Sequence, residues 1–459
     1  MKPLLFTLFA LLNASAYAQF QEHIIESAPY TASSIVLADV DNDGDQDIIV
    51  SGGINNQLKW IENTDGLGDF SITRGILELG FSYAGDIAIA DIDGDNDIDI
   101  LVSTAEQDCG EIRTFRNTDG QGTFELFSVS MFTCGLQSQI EVGNINGDNY
   151  VDWASSMSAS EYNDARVSWF ENDGNGNVTE RIIEDSYVRS FQLVDVDGDN
   201  DIDIVGLSLN SPVSPQIIWY ENTSGAGNFV KHLIGVNSDL NYYSKLIAAD
   251  VDSDGAMDII TAYNKTLSWY KNDGQGNFTD EIIINDDASF TKLNIFAVDI
   301  DSNGTMDILS TGDSNSITQY KNDGQQNFTT TAIIENLYRL YSPIYAKDVN
   351  GNNKIDIISN SSENGKIAWY ENQMDLSVNQ NSILDFSIYP NPVSEELIIK
   401  RPTREPATGN LYDTTGKLIL SFTLNDQDSR INVENLAAGV YFLEISGNSN
   451  TVVKKIVIE

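Results

Sequence analysis

The sequence predicts an all-β chain: a seven-bladed β-propeller followed by a small β-sandwich of the immunoglobulin-like type. Three observations predict it. An acidic loop recurs seven times, beginning at Asp39, Asp91, Asn144, Asp195, Asp250, Asp299 and Asp348, at spacings of 52, 53, 51, 55, 49 and 49 residues. A second signature follows each loop: WIENTDGLGDF from Trp60, TFRNTDGQGTF from Thr114, WFENDGNGNV from Trp169, WYENTSGAGNF from Trp219, WYKNDGQGNF from Trp269, QYKNDGQQNF from Gln319 and a truncated WYEN from Trp369. After residue 385 both signatures stop, and a different set of short strand patterns takes over.

The chain begins with Lys2, an apolar run from Leu4 to Leu12 and Ala16-Tyr17-Ala18, so residues 1–18 read as a signal peptide and the mature chain is expected to start at Gln19. No later stretch reaches about 18 uninterrupted apolar residues, and no membrane-spanning helix is expected. Export implies an oxidising compartment, in which the two cysteines, Cys109 and Cys134, could pair or stay free.

Each unit of about 50 residues reads as four short strands: one before the acidic loop, one after it, and two flanking the Asp-Gly turn of the second signature. The seventh unit stops after Asn372 without a fourth strand. The mature N-terminus, Phe20-Gln-Glu-His23-Ile-Ile25, matches the fourth strand Phe229-Val-Lys-His232-Leu-Ile234, so it is expected to complete the last blade and close the ring. The propeller then spans 19–372, a polar linker 373–385, and the sandwich 386–459.

The first loop places carboxylates at positions one, three, five and nine: Asp39, Asp41, Asp43 and Asp47. Alternate oxygen donors from a tight loop, with a backbone carbonyl at position seven, suit the six to eight hard ligands of Ca²⁺. The same four positions are filled by Asp91, Asp93, Asp95 and Asp99, by Asp195, Asp197, Asp199 and Asp203, and by Asp250, Asp252, Asp254 and Asp258. Loop six, with Asp299, Asp301, Asn303 and Asp307, should bind more weakly. Loop three (Asn144, Asn146, Asp148, Asp152) and loop seven (Asp348, Asn350, Asn352, Asp356) keep two carboxylates each and are expected to be weak or vacant. Position six is Gly44, Asn96, Asn149, Asn200, Gly255, Gly304 or Asn353, the two residue types that most readily take positive φ. Turn preference alone explains acids near a turn but not their alternation seven times over. Several structural Ca²⁺ ions are therefore the expected cofactors.

The whole chain carries 69 acids against 25 bases, a formal net charge of −44, which repels phosphate backbones and anionic membranes and argues against a nucleic-acid partner. Halophilic adaptation would spread the acids over every surface; here they cluster in the loops. With 41% apolar residues, 19 Tyr, 19 Phe and 6 Trp, the chain can still build a sizeable core.

In a four-stranded meander the acidic loops and the Asp-Gly turns share one face, and the irregular connections, such as 73–84, 155–166 and 207–216, share the other. Variable loops on a rigid scaffold are the expected place for recognition. Tyr30, Tyr83, Tyr187, Tyr243, Phe290 and Tyr341 precede six of the acidic loops and read either as blade packing or as a rim that stacks on sugars. Trp60, Trp169, Trp219, Trp269 and Trp369 share one strand position and read as core. His23 and His232 occupy one equivalent repeat position and do not form an acid–base pair. No catalytic constellation stands out, although Tyr162 and Arg166 lie in an irregular loop of the kind a lyase could use.

The loops together with the WYEN and DGxGxF signatures resemble the integrin-type FG-GAP and VCBS repeats over residues 20–372, closer to the VCBS variant because the literal Phe-Gly and Gly-Ala-Pro pattern is missing. The resemblance implies a calcium-bearing propeller used in adhesion or in binding an extracellular glycan or protein, with some members enzymatic. The C-terminal segment resembles the type IX secretion sorting domain through Tyr389-Pro-Asn-Pro392, the Leu411-Tyr-Asp-x-x-Gly416-Lys pattern and Leu436-Ala-x-Gly439-x-Tyr441. That resemblance implies handling by outer-membrane type IX machinery and a place outside, or on the outer surface of, a Gram-negative bacterium. The closing Glu459 after Lys454-Lys455 departs slightly from the pattern.

Overall fold

The segment after each acidic loop is apolar without alternation, as in Asp47–Gly52, Asp203–Ser208, Asp258–Tyr263 and Asp307–Gly312, and every residue of these four strands is buried. A strand buried on both faces must be covered by neighbours on both sides. The computed structural model supplies them. It describes residues 19–25, 32–52, 57–78, 83–106, 109–131, 136–158, 165–209, 214–286, 292–312, 315–337, 343–360, 367–374, 387–401, 407–413, 417–434, 436–446 and 451–458. Among these, residues 20–372 form seven four-stranded antiparallel sheets. Six are simple meanders in chain order, from Ala32–Ala38 through Phe328–Ile334.

The seventh sheet runs Phe20–Ile25, Ile367–Asn372, Asp356–Asn360, Tyr345–Lys347, with the N-terminal strand as its outer member. Its register pairs Phe20 with Asn372, His23 with Trp369 and Ile25 with Ile367. Fourth-strand His232 faces Trp219 in the same way. The two histidines stack on those indoles at 4.3 and 4.6 Å and meet Glu371 and Glu221 at 3.1 and 2.6 Å. Arg74 and Arg181 occupy the same register opposite Trp60 and Trp169, so the histidines belong to the repeat.

Seven apolar clusters lie between consecutive sheets, each drawing on two blades. One joins Trp369 and Ile358 of the last blade to Leu37, Ile48 and Val50 of the first, which closes the ring. The five repeat tryptophans are 1–4% exposed. Burying side chains of this size contributes about 2–3 kcal/mol each. The second glycine of the Asp-Gly turn is dictated by that packing: a Cβ on Gly122 would stand 2.1 Å from the Trp60 ring of the preceding blade. Among the first strands of all seven blades lies a central channel of about 660 Å³.

The chain divides into two compact units, 1–374 and 375–459. In the second, a three-stranded sheet (Ser387–Tyr389, Glu396–Lys400, Asp428–Asn432) and a four-stranded sheet (Leu418–Leu424, Ala407–Asp413, Gly439–Ser446, Thr451–Ile458) enclose one core that includes Leu397, Ile399, Leu411, Leu443 and Ile456. The chain is all-β, a propeller followed by a sandwich. The expected signal peptide, Tyr30, Phe290, Tyr341, Tyr162 and Cys134 lie outside the described residues, as do the side chains of Cys109 and Tyr83. The irregular stretches are shorter than expected, because 73–78 and 155–158 belong to strands.

Candidate metal centres

All seven acidic loops adopt one backbone. Position six has positive φ throughout: 99° at Gly44, 72° at Asn96, 84° at Asn149, 70° at Asn200, 91° at Gly255, 88° at Gly304 and 62° at Asn353. Position four does too, at Asn42, Gly94, Gly147, Gly198, Ser253, Ser302 and Gly351. That second left-handed residue escaped the sequence reading, although its restriction to Gly, Asn and Ser was visible.

The predicted donor positions divide by task. Position one holds the loop from inside: Asp39 accepts from the amides of Asp43 and Gly44 at 3.0 Å, and Asp250 from those of Asp254 and Gly255 at 3.0 Å. Asp91, Asp299 and Asp348 do the same, Asp195 accepts from the amides of Gly198 and Asn200, and Asn144 accepts from Gly147 and Asp148 without a charge. Position five caps the amide of position seven, as Asp43, Asp95, Asp148, Asp199, Asp254, Asn303 and Asn352 show at 2.8–3.1 Å.

Position nine is buried and structural. Asp47, Asp99, Asp152, Asp203, Asp258, Asp307 and Asp356 are each at most 1% exposed. One oxygen accepts from the amide of the strand-three asparagine, for example Asn63 at 2.8 Å and Asn222 at 2.7 Å. The other accepts from the position-two amide in six loops, while Gln319 Nε2 takes that place on Asp307 at 2.8 Å. Burial pushes the acids up, Asp47 to about 6 and Asp99 and Asp258 to about 7, against the pull of those amides. The same asparagines reach sideways: Nδ2 of Asn117, Asn172, Asn222, Asn272, Asn322 and Asn372 donates to the position-two carbonyl of the preceding blade's loop, and Asn63 donates to Val349 of the last blade at 3.0 Å. This belt of seven bonds was not anticipated, although the asparagine of every WYEN signature marked it.

Position three is left over. One carboxylate oxygen each of Asp41, Asp93, Asp252 and Asp301 is buried with no hydrogen-bond partner. Burial, and then the neighbouring acids led by Asp43, push Asp41 above the ordinary carboxylate range; Asp93 and Asp197 are raised likewise. Ligand-capable oxygens lie within 4.8 Å of one another in Asp39–Asp41–Asp43, Asp91–Asp93–Asp99, Asp195–Asp197–Asp199 and Asp250–Asp252–Asp254. These four clusters could hold a metal ion. In loops three and seven, Asn146 and Asn350 replace the position-three acid, and each oxygen accepts from the amide two residues on.

Across the hairpin, strand three adds one more residue to each site. Glu62 and Glu221 add negative charge near Asp41 and Asp197. In blade two Arg116 stands 3.9 Å from Asp93. In blade five the Lys271 ammonium pairs with Asp252, and with Asp254 at 2.9 Å; in blade six Lys321 pairs with Asp301. These cations compete for the carboxylates an ion would take, a feature of the WYKN and QYKN signatures that the loop spacing alone did not reveal. On the opposite face Tyr187 is buried and Tyr243 is 53% exposed, so the described members of the aromatic set do not share one role.

Fold and loops define a closed propeller whose repeats present acidic, metal-capable loops on one face. The FG-GAP-like repeat profile matches residues 39–102, 195–261, 250–310 and 299–359, and the secretion system C-terminal sorting domain profile matches residues 387–459. The chain belongs to the FG-GAP-like repeat proteins and carries a type IX sorting domain, which directs it to the cell surface or the extracellular space. No helix among the described residues is long and apolar enough to cross a membrane. An endo-acting ulvan lyase of Formosa agariphila is 30% identical over 118 residues, 25% of this chain and 22% of that protein's length. Among solved structures, BBS1N in complex with ARL6DN aligns at a TM-score of 0.50 with 8% identity, over 78% of this chain and 99% of that one. An Agrocybe aegerita lectin that recognises non-reducing terminal N-acetylglucosamine aligns at 0.49 with 18% identity, over 67% of this chain and 81% of that one.

Proposed function

We propose that this chain is a calcium-stabilised propeller that acts outside the cell by binding, in adhesion or in recognition of a glycan or protein, and not by catalysis. The observation that carries the calcium reading is the orphaned position-three oxygen of Asp41, Asp93, Asp252 and Asp301. The acids and asparagines at positions one, five and nine accept from backbone amides, so a buried position-three oxygen is left that a hard cation would satisfy. In loops one, two and five, where the orphaned oxygen and a carboxylate cluster coincide, Ca²⁺ would be held by Asp39, Asp41 and Asp43, by Asp91, Asp93 and Asp99, and by Asp250, Asp252 and Asp254; in loop four it would be held by Asp195, Asp197 and Asp199 on the cluster alone. What it supplies is charge neutralisation and loop rigidity. Metal analysis of the purified full chain after calcium dialysis tests this: bound calcium in several equivalents is expected, and none would defeat the reading.

The binding reading is supported by the histidines' place in the repeat and by acids already engaged in loop closure. Carbohydrate cleavage is the second reading, favoured by the partial likeness to an ulvan lyase. Incubation with a panel of acidic polysaccharides separates the two, since a lyase produces unsaturated ends that absorb in the ultraviolet and a binding protein does not.

A further inference from the structure

The channel is walled by the first strands of all the blades, and its charges are unevenly placed. Asp86 and Glu141 come from blades two and three, Arg189 and Lys245 from blades four and five. The acids are provided for. Asp86 accepts from Ser34 Oγ at 2.9 Å and from the Ile140 amide at 3.1 Å, and Glu141 accepts from Gln139 Nε2 at 2.6 Å. The bases are not. Among the described residues no ion pair within 4 Å involves the Lys245 ammonium, and Asp86, already held by Ser34 and the Ile140 amide, acts on it only as a longer-range charge. Arg189 donates to Tyr187 Oη at 2.9 Å and lies 3.7 Å over the Tyr242 ring, but its Nε is buried without a partner. The two cations also repel each other: burial first, then Arg189, holds Lys245 below the ordinary ammonium range, and the pull of Asp86 the other way does not offset them.

In a chain with a net charge of −44, two basic groups enclosed beside one cavity with no carboxylate in contact are an anomaly. Buried charges are retained when something pairs with them. We infer that the central channel is a binding site for a small ligand bearing an oxyanion, a carboxylate or a sulfate, gripped between Lys245 and Arg189. The guanidinium offers its planar donor fork and the ammonium a point charge, a combination suited to either group. Tyr242, which carries Arg189 on its face, is 53% exposed beside Tyr243, so a sugar ring attached to the oxyanion would find an aromatic surface next to the charge. This deepens the binding reading above and does not depend on the calcium loops.

The test is calorimetric titration of the full chain, in calcium, with galacturonate, with inorganic sulfate and with neutral galactose. Galacturonate or sulfate should bind, the stronger of the two identifying the group, and galactose should bind at least ~10-fold more weakly, the factor that about 1.4 kcal/mol represents. Lys245→Met and Arg189→Gln should each weaken the oxyanion by about 10-fold or more. Because Lys245→Met removes an enclosed charge with no carboxylate in contact, that variant should melt at the wild-type temperature or about 2–4 °C above it. A fall in its melting temperature would make Lys245 a structural partner of Asp86 and overturn the proposal. So would equal binding of galactose, or no binding of either oxyanion by the folded chain.

Discussion

The acidic loops of blades one and four and those of blades five and six share a backbone, yet they neutralise their acids differently. In the first pair strand three contributes Glu62 and Glu221, which deepen the negative field around Asp41 and Asp197. In the second pair the same strand position is Lys271 and Lys321, each paired with the position-three carboxylate. Beside Asp41 and Asp197 a glutamate adds to the charge that a cation would offset, whereas beside Asp252 and Asp301 a lysine already offsets part of it.

The largest effect expected is chelation of the whole protein. A site filled at about 100 times its dissociation constant contributes about 2.7 kcal/mol, so loss of several ions should lower the melting temperature by ~10 °C or more. An unchanged melt in chelator would erase the difference between the two pairs of blades. Next come single substitutions at position three. Asp41→Asn or Asp197→Asn should cost about 2–3 kcal/mol in calcium and nothing in chelator, where each relieves a repulsion. Asp252→Asn should lose less in calcium and more in chelator, because it breaks the pair with Lys271. Denaturant midpoints under both conditions give the four numbers needed, and identical behaviour of blades one and five would break the comparison.

A third mode of neutralisation uses a proton. Glu141 lines the central channel, and burial, with a smaller push from Asp86, raises it to about 8 from an ordinary value of 4.5. A raised acid keeps its proton in the folded chain after the unfolded chain has lost it, so its contribution to stability falls as pH rises from 4.5 to about 8. Glu141→Gln should match wild type below pH 4.5 and exceed it above pH 8, by about 1–2 kcal/mol once access of water through the channel is allowed for. A constant gap between the two unfolding curves across pH would show that Glu141 is already ionised. The smallest effect is the reverse exchange: Lys271→Met should raise bound calcium by up to one equivalent and cost ~1 kcal/mol or less in chelator, read by metal analysis and by melting.

Much of this architecture was legible in the sequence because the repeat states each rule seven times. Positive φ at position six, the core place of Trp60 and its equivalents, and completion of the last blade by Phe20–Ile25 each follow from residues that recur in register. What escaped was information carried across units. The belt from Asn63 to Val349 and its six counterparts joins a strand to the loop of a different blade. Lys271 and Lys321 act across a hairpin and so fall outside the alternating count that singled out Asp252 and Asp301. Asp86, Glu141, Arg189 and Lys245 obey no repeat at all; only the circular arrangement gathers four blades' residues around one channel.

The pairing of Phe20–Ile25 with Ile367–Asn372 also sets an order of events. This strand, the propeller's first in chain order, has no partner until nearly the whole propeller has followed it, so six blades can form locally while the seventh waits. A closure spanning about 350 residues costs only slightly more entropy than a shorter one, since the penalty grows with the logarithm of length. Its burden is temporal: until Ile367–Asn372 meets Phe20–Ile25, the first blade lacks a neighbour on one side and the ring has two open edges.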